Sequence, residues 1–176
     1  MEQERKRKEL TVFQKSVIEC IVLGVVSWIF FTHVILFGSV PSPSMEPNIH
    51  EGDYVIVNGL AYVWEKPQRG DVVIFRTPEF GDETLIKRII GVPGDSLVFV
   101  DGDLYLNGEK LQETYLPDDT ETDSARDFEE VPEGCYFVMG DNRENSYDSR
   151  FWTDPYVKLE DIDGKAMVVI PLSRLR

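Results

Sequence analysis

Two textures divide the chain. Residues 17–40 are predominantly apolar, with Glu19 and His33 towards the two ends. From residue 48 onward short apolar runs alternate with turns. Residues 53–57, Asp-Tyr-Val-Ile-Val, are rich in the β-branched and aromatic side chains that suit a pleated, half-buried surface. Residues 71–75, 85–92, 96–100, 104–106, 135–139 and 165–170 predict further strands, the second of these runs being interrupted by Lys87 and Arg88. Gly91-Val92-Pro93-Gly94-Asp95 is turn chemistry, with Pro and Gly adjacent as a type II turn prefers. Asp101-Gly102-Asp103 reads as the reversal of a short hairpin, and Asn107-Gly108 as a second one. Residues 114–130 are acidic with little periodicity and read as a loop or excursion. No long amphipathic helix is expected after residue 40. The fold class this predicts is mainly β, an antiparallel sheet assembly following one N-terminal helix.

The apolar run is long enough to matter. A membrane span needs about 20 predominantly apolar residues, and residues 17–37 make a stretch of 21, counting Glu19 at its edge. Arg5-Lys6-Arg7-Lys8 precede it, which places the N-terminus on the cytoplasmic side and the β domain outside. A cleaved signal peptide would want small residues at −3 and −1 of its cleavage point. Ser39-Val40-Pro41 offers no such pair, so the run reads as an uncleaved transmembrane anchor. Glu19 and His33 sit within about one or two turns of an interface and can snorkel. The expected organisation is therefore a charged cytoplasmic tail (1–16), a single-pass anchor (17–40) in the plasma membrane, and an extracytoplasmic domain (41–176).

Charge sharpens this division. Of the net −14, residues up to Val40 contribute +1, with Arg5, Lys6, Arg7, Lys8 and Lys15 set against Glu2, Glu4, Glu9 and Glu19, and the remainder carries −15. Such a domain is a poor nucleic-acid ligand, because affinity for phosphate backbones comes largely from Lys and Arg. Of the two cysteines, Cys20 falls in the apolar run and Cys135 in an expected strand, so no disulfide framework is indicated. Cys135 reads as a small core residue. Phe151-Trp152 is open between lipid contact and core packing.

Just past the apolar run stands Pro41-Ser42-Pro43-Ser44-Met45-Glu46-Pro47. Its three prolines favour extended backbone over helix and leave two hydroxyls displayed. Composition alone makes this a Pro/Ser linker. As for a base to activate a serine, the only histidine beyond the run is His50, six residues from Ser44, with no carboxylate distinguished as its partner, so a surface turn role suits it better. His50 and Cys135 together are too few for a zinc site. Lysine is the remaining candidate, yet at an ordinary pKa of about 10.4 it is charged at neutral pH and accepts no proton. Burial can lower it. Lys87, within Leu85-Ile86-Lys87-Arg88-Ile89-Ile90, is placed for burial, although an outward lysine on an amphipathic strand fits the same letters.

The ordered set of motifs decides between these readings. Ser42-Pro43-Ser44-Met45-Glu46-Pro47 is followed by Gly52-Asp53-Tyr54-Val55-Ile56-Val57 and by Arg69-Gly70-Asp71-Val72-Val73-Ile74-Phe75. Then come Lys87-Arg88-Ile89-Ile90-Gly91-Val92-Pro93-Gly94-Asp95 and Gly140-Asp141-Asn142-Arg143-Glu144-Asn145-Ser146-Tyr147-Asp148-Ser149-Arg150. In kind and order this resembles the type I signal peptidases, membrane-bound Ser/Lys endopeptidases, and in particular their smaller single-span bacterial members. The resemblance implies Ser44 as nucleophile and Lys87 as general base. It implies Ser42 as side-chain donor to the oxyanion beside the Ser44 N–H, and Ser146 as the hydroxyl that orients the lysine. Asp141, Arg88, Asp148 and Arg150 match charged residues that brace the site. Asn48-Ile49 and Gly59 depart from the usual family residues without touching a catalytic role.

The resemblance further implies removal of signal peptides from secretory preproteins with small residues at −1 and −3. It calls for no metal and no cofactor, with the bilayer and the secretion translocon as surroundings. An extended substrate would pair with backbone near residues 40–42 and 85–87, over pockets lined by Val40, Met45 and Ile86. Two alternatives on the same fold are a catalytically silent membrane-anchored assembly or chaperone protein and a dedicated peptidase with few substrates. Self-cleaving repressors share the Ser/Lys chemistry, but the anchor and the acidity argue against a DNA-binding protein.

Overall fold

The computed structural model describes residues 11–30, 34–81 and 83–172. Arg5-Lys6-Arg7-Lys8 and His33 lie outside them. In chain order the described elements are α1 (Val12–Ile29), β1 (Ile35–Ser39), β2 (Tyr54–Asn58), β3 (Val72–Arg76), β4 (Thr84–Gly91), β5 (Leu97–Val100) and β6 (Asp103–Leu106). They continue with β7 (Glu109–Lys110), β8 (Cys135–Met139), β9 (Val157–Lys158) and β10 (Ile162–Ile170).

Helix α1 starts at a capping box, in which the Thr11 hydroxyl accepts from the Gln14 N–H and the Gln14 side chain accepts from the Thr11 N–H. Its apolar side chains, among them Phe13, Ile21, Leu23 and Trp28, are exposed. Among the described residues no helix is long and apolar enough to cross a membrane. The expectation that the apolar run continues as one segment to Val40 is corrected here. Ile35–Ser39, near its end, is strand β1, paired antiparallel with β2. A short apolar stretch does not distinguish a helix end from a buried strand. Here the neighbouring edge of β2 supplies the hydrogen-bond partners that settle it.

Seven strands form one antiparallel sheet in the order β1-β2-β10-β3-β4-β8-β9. The last strand of the chain thus lies between β2 and β3 and joins the early and late parts of the domain. A second sheet, β5-β6-β7, packs over Ile90, Phe137 and Met139, with Leu97, Leu104 and Phe128 in the same core cluster. Its two hairpin turns are set by Asp101-Gly102 and Asn107-Gly108, whose φ values are 50° and 81° and 54° and 84°. Both central residues are left-handed, as a two-residue type I′ turn requires. The Val92–Asp95 turn closes with Asp95 N–H donating to the Val92 carbonyl at 3.0 Å, and Gly94 takes φ 87°.

The acidic segment 114–130 has little regular structure, but it is anchored. Phe128 is buried and bridges to Leu97. Trp152 is buried against Phe75 and Phe80, whereas Phe151 is exposed and stacks on Tyr147 at 6.2 Å. The Phe-Trp pair therefore splits between core and surface. Cys20 and Cys135 are both free thiols.

Candidate active site

The Pro-rich stretch is not extended throughout. Pro43–Met45 makes one 3-10 turn, with Pro43 in the first turn, where its missing N–H has no helical partner to lose. This corrects the expectation of a straight display of two hydroxyls. The turn buries Ser44 and Met45 and leaves Ser42, just before it, half-buried in extended geometry. Two bonds from the later motif hold the turn down. Asn142 N–H donates to the Ser44 carbonyl and Asn142 Nδ2 to the Pro43 carbonyl, each at 3.1 Å.

Lys87 is brought to Ser44 by β4. Its cross-strand partner on β3 is Val73 and its same-face neighbour is Ile89, both fully buried. Lys87 itself is 4% exposed. Its Nζ donates to Ser44 Oγ at 2.7 Å across 43 residues of sequence. The Ser42 hydroxyl also donates to Ser44 Oγ, at 3.2 Å. Burial lowers the pKa of Lys87 from 10.5 to about 8, outweighing the opposing pull of Asp148 and then Asp141. A lysine so placed has a sizeable neutral fraction near neutral pH and can accept a proton.

Around this pair lies an ionic frame. Arg88 grips Asp141 with two bonds, Nε to Oδ1 at 2.8 Å and Nη2 to Oδ2 at 2.6 Å, and gives Nη1 to the Gly70 carbonyl at 2.9 Å. Asp141 also accepts from Asn48 Nδ2 at 2.9 Å. Asp148 accepts from Arg150 Nε at 2.8 Å and from the Gly140 N–H at 2.9 Å. Gly140 is fixed by close approach, since a Cβ there would collide with Ser146 Oγ and the Ser44 carbonyl oxygen.

Ser146 differs from what the resemblance implies. Its Oγ is buried beside Gly140 and has no hydrogen-bond partner among the described residues, so in this state it does not hold Lys87. The guessed pocket lining also divides. A cleft of about 350 Å³ lies between β1 and β4 and is lined by Ile86. Val40 and Met45 are not in its lining. Both pack instead in the core cluster with Val55 and Val57, because the 3-10 turn points Met45 inward. His50 stands in the turn before β2, its ring nitrogen 3.9 Å from Asp53.

Several supporting residues were not assigned from sequence. Arg143, fully buried in its side chain, pairs with Glu113 at 2.5 Å. It also donates to Thr122 Oγ1 at 2.6 Å and to the Gly140 carbonyl at 3.0 Å. Tyr115 lies under the Arg88 guanidinium, 4.1 Å from ring centroid to Cζ. Arg143 stood inside a quoted motif and so was within reach of sequence reasoning. Glu113, Tyr115 and Thr122 come from a stretch without periodicity and carried no signal.

A buried serine whose hydroxyl accepts from a buried lysine amine, on an antiparallel scaffold, is the arrangement of a serine hydrolase that uses an amine in place of imidazole. The comparisons with known proteins narrow this class. The family model for "Signal peptidase, peptidase S26" matches residues 11–171. Signal peptidase I of Leptolyngbya laminosa is 38% identical over 144 residues, 77% of this chain and 69% of that protein. Signal peptidase I of Pseudomonas fluorescens is 36% identical, and the match spans 74% of this chain and 62% of that longer protein. Signal peptidase I S of Bacillus subtilis (strain 168) is 32% identical over 97% of this chain and 95% of its own. The chain belongs to the signal peptidase family, peptidase S26, and with it to the serine peptidases that process signal peptides.

Proposed function

We propose that this protein cleaves N-terminal signal peptides from preproteins with Ser44 as nucleophile and Lys87 as general base. The observation that carries this reading is the 2.7 Å contact of a buried lysine amine with a buried serine hydroxyl. For attack the contact reverses. Neutral Lys87 accepts the Ser44 proton as Oγ adds to the scissile carbonyl. The Ser44 N–H and the Ser42 hydroxyl, turned from Ser44 Oγ towards the new oxyanion, stabilise the negative charge, and one such donor is worth about 3 kcal/mol. Protonated Lys87 then supplies the leaving amine and, neutral again, activates the water that hydrolyses the ester. Ser146, buried and unpartnered next to the site, takes up the lysine amine during this cycle.

The substrate lies extended in the cleft between β1 and β4. On β4, Thr84–Arg88 pairs with β3, while β8 pairs only from Arg88 onward. The outer edge of residues 84–87 therefore has no strand partner among the described residues and can accept an added strand. Small residues at −1 and −3 fit over Ile86 and its neighbours. The N-terminal apolar run anchors the enzyme in the cell membrane, with the β domain outside. The exposed apolar side chains of α1 support this, as does the basic tail before it. Cleavage of a purified preprotein in detergent, with the new N-terminus sequenced, tests the reading. Ser44→Ala and Lys87→Ala each abolish the product while the domain stays folded, and cleavage retained by either variant overturns the assignment.

A further inference from the structure

The cleft between β1 and β4 is apolar over most of its length, with Leu36, Val55, Val57, Ile74 and Ile86 in its lining. At one end it is charged. Arg76 on β3 and Asp163 on β10 line it there and pair at 2.6 Å. They are not equally presented, since the Arg76 side chain is 56% exposed and that of Asp163 24%. Of the two, the guanidinium is thus the more accessible group at this end of the cleft. The register places this end. Arg76 stands opposite Thr84, and Val73 opposite Lys87. Three strand steps lead from Thr84 to Lys87, about 10 Å at 3.3 Å per residue. An extended peptide with its scissile carbonyl at Ser44 and its −3 residue over Ile86 thus carries its fourth and fifth residues before the bond to this end.

We propose that the Arg76–Asp163 pair makes the cleft read charge at one of these positions, favouring an acidic or neutral polar side chain and disfavouring lysine or arginine. The inference rests on the signal-peptidase reading of the site. The physical ground is that a charge beside apolar walls acts through a lower dielectric than one in open water. Because the pair is internally compensated and partly exposed, the preference is modest, about three- to fivefold.

The test is a set of preprotein peptides with a single Asp, Asn or Lys at −3, −4 or −5, cleaved by the purified full chain in detergent. The readout is the ratio of kcat/KM for Asp over Lys at each position, so that each variant is its own reference. The parent is expected to prefer Asp at one position, Arg76→Glu to invert that ratio, and Asp163→Asn to enlarge it. Equal ratios at all three positions, or a preference unchanged in Arg76→Glu, overturn the inference while Ser44-dependent cleavage leaves the peptidase reading standing. If the parent cleaves none of the peptides and no preprotein, both fall together.

Discussion

Lys87 and Arg88 are neighbours on one strand, carry the same formal charge and are both largely buried, yet they do opposite things. At Lys87 burial wins: no carboxylate among the described residues bonds to it, the charges of Asp148 and Asp141 are outweighed, its pKa falls to about 8 and the amine becomes usable as a base. At Arg88 burial also works to lower the pKa, but the hydrogen bonds and charge of Asp141 more than offset it, and the net shift is upward. Arg88 thus stays a fixed cation that ties β4 to the 140–150 segment. The alternation of a strand sends adjacent residues to opposite faces. What differs is direct bonding: Asp141 is hydrogen-bonded by Arg88 but reaches Lys87 only through its charge. Burial that outweighs nearby charge leaves an amine able to accept a proton, and burial against a hydrogen-bonded carboxylate leaves a brace.

The comparison can be broken most severely by giving position 87 the chemistry of position 88. Arginine stays charged at any pH the enzyme meets, so Lys87→Arg keeps the charge and loses the base. Turnover of a preprotein is expected to fall by about 10²–10⁴-fold, measured by single-turnover cleavage. Next in size is the removal of the counterion. Asp141→Ala leaves Arg88 buried and unpaired, and is expected to cost about 3–5 kcal/mol in urea unfolding. Lys87→Met should do the reverse. The shift from 10.5 to about 8 corresponds to about 3 kcal/mol of penalty on the charged folded state. A folded pKa below the unfolded value means that this penalty is complete below pH 8. It is relieved as pH rises towards 10.5, where the unfolded chain alone still binds the proton. The variant is therefore expected to be more stable than the parent at pH 7, by up to about 3 kcal/mol, and its advantage should shrink through that window.

A smaller effect is the pH dependence of the parent. Below about pH 8 the neutral fraction of Lys87 falls with acidity. kcat/KM is accordingly expected to rise about tenfold per pH unit up to that point and then level. A flat profile between pH 6 and 8 would contradict the lysine base. The smallest effect comes from an ion pair of the same formal kind in open solvent. Lys66 and Glu133 pair at 2.9 Å with both side chains more than 70% exposed. Glu133→Gln is expected to leave the melting temperature unchanged, because exposed pairs contribute little.

Much of the fold was legible in the chain. The strands at 53–57, 71–75 and 135–139 fall within one residue of β2, β3 and β8, because β-branched runs between turn residues leave few alternatives. The Asp101-Gly102 and Asn107-Gly108 reversals were legible for the same local reason, since their residues tolerate positive φ. β1 was not, because its residues continue an apolar run and its identity depends on β2, some twenty residues on. The two-residue strands β7 and β9 carry no pattern at all. At the site, the ion pair of Arg143 with Glu113 joins a recognisable motif to an irregular acidic stretch. Nothing local in residues 113–123 marks one carboxylate among many.

What the sequence by itself determined is the inventory and its order: a serine after an apolar run, a lysine in an apolar strand, a later run of charged residues, and turns that make a β domain of them. Whether that lysine was a solvated surface charge or a buried amine was not in the letters, because Leu-Ile-Lys-Arg-Ile-Ile fits either face. The tertiary structure decided it. A lysine's pKa follows from how much water and which charges surround it. Here those surroundings are Val73, Ile89, Ser44, Asp141 and Asp148, gathered from four separate parts of the chain.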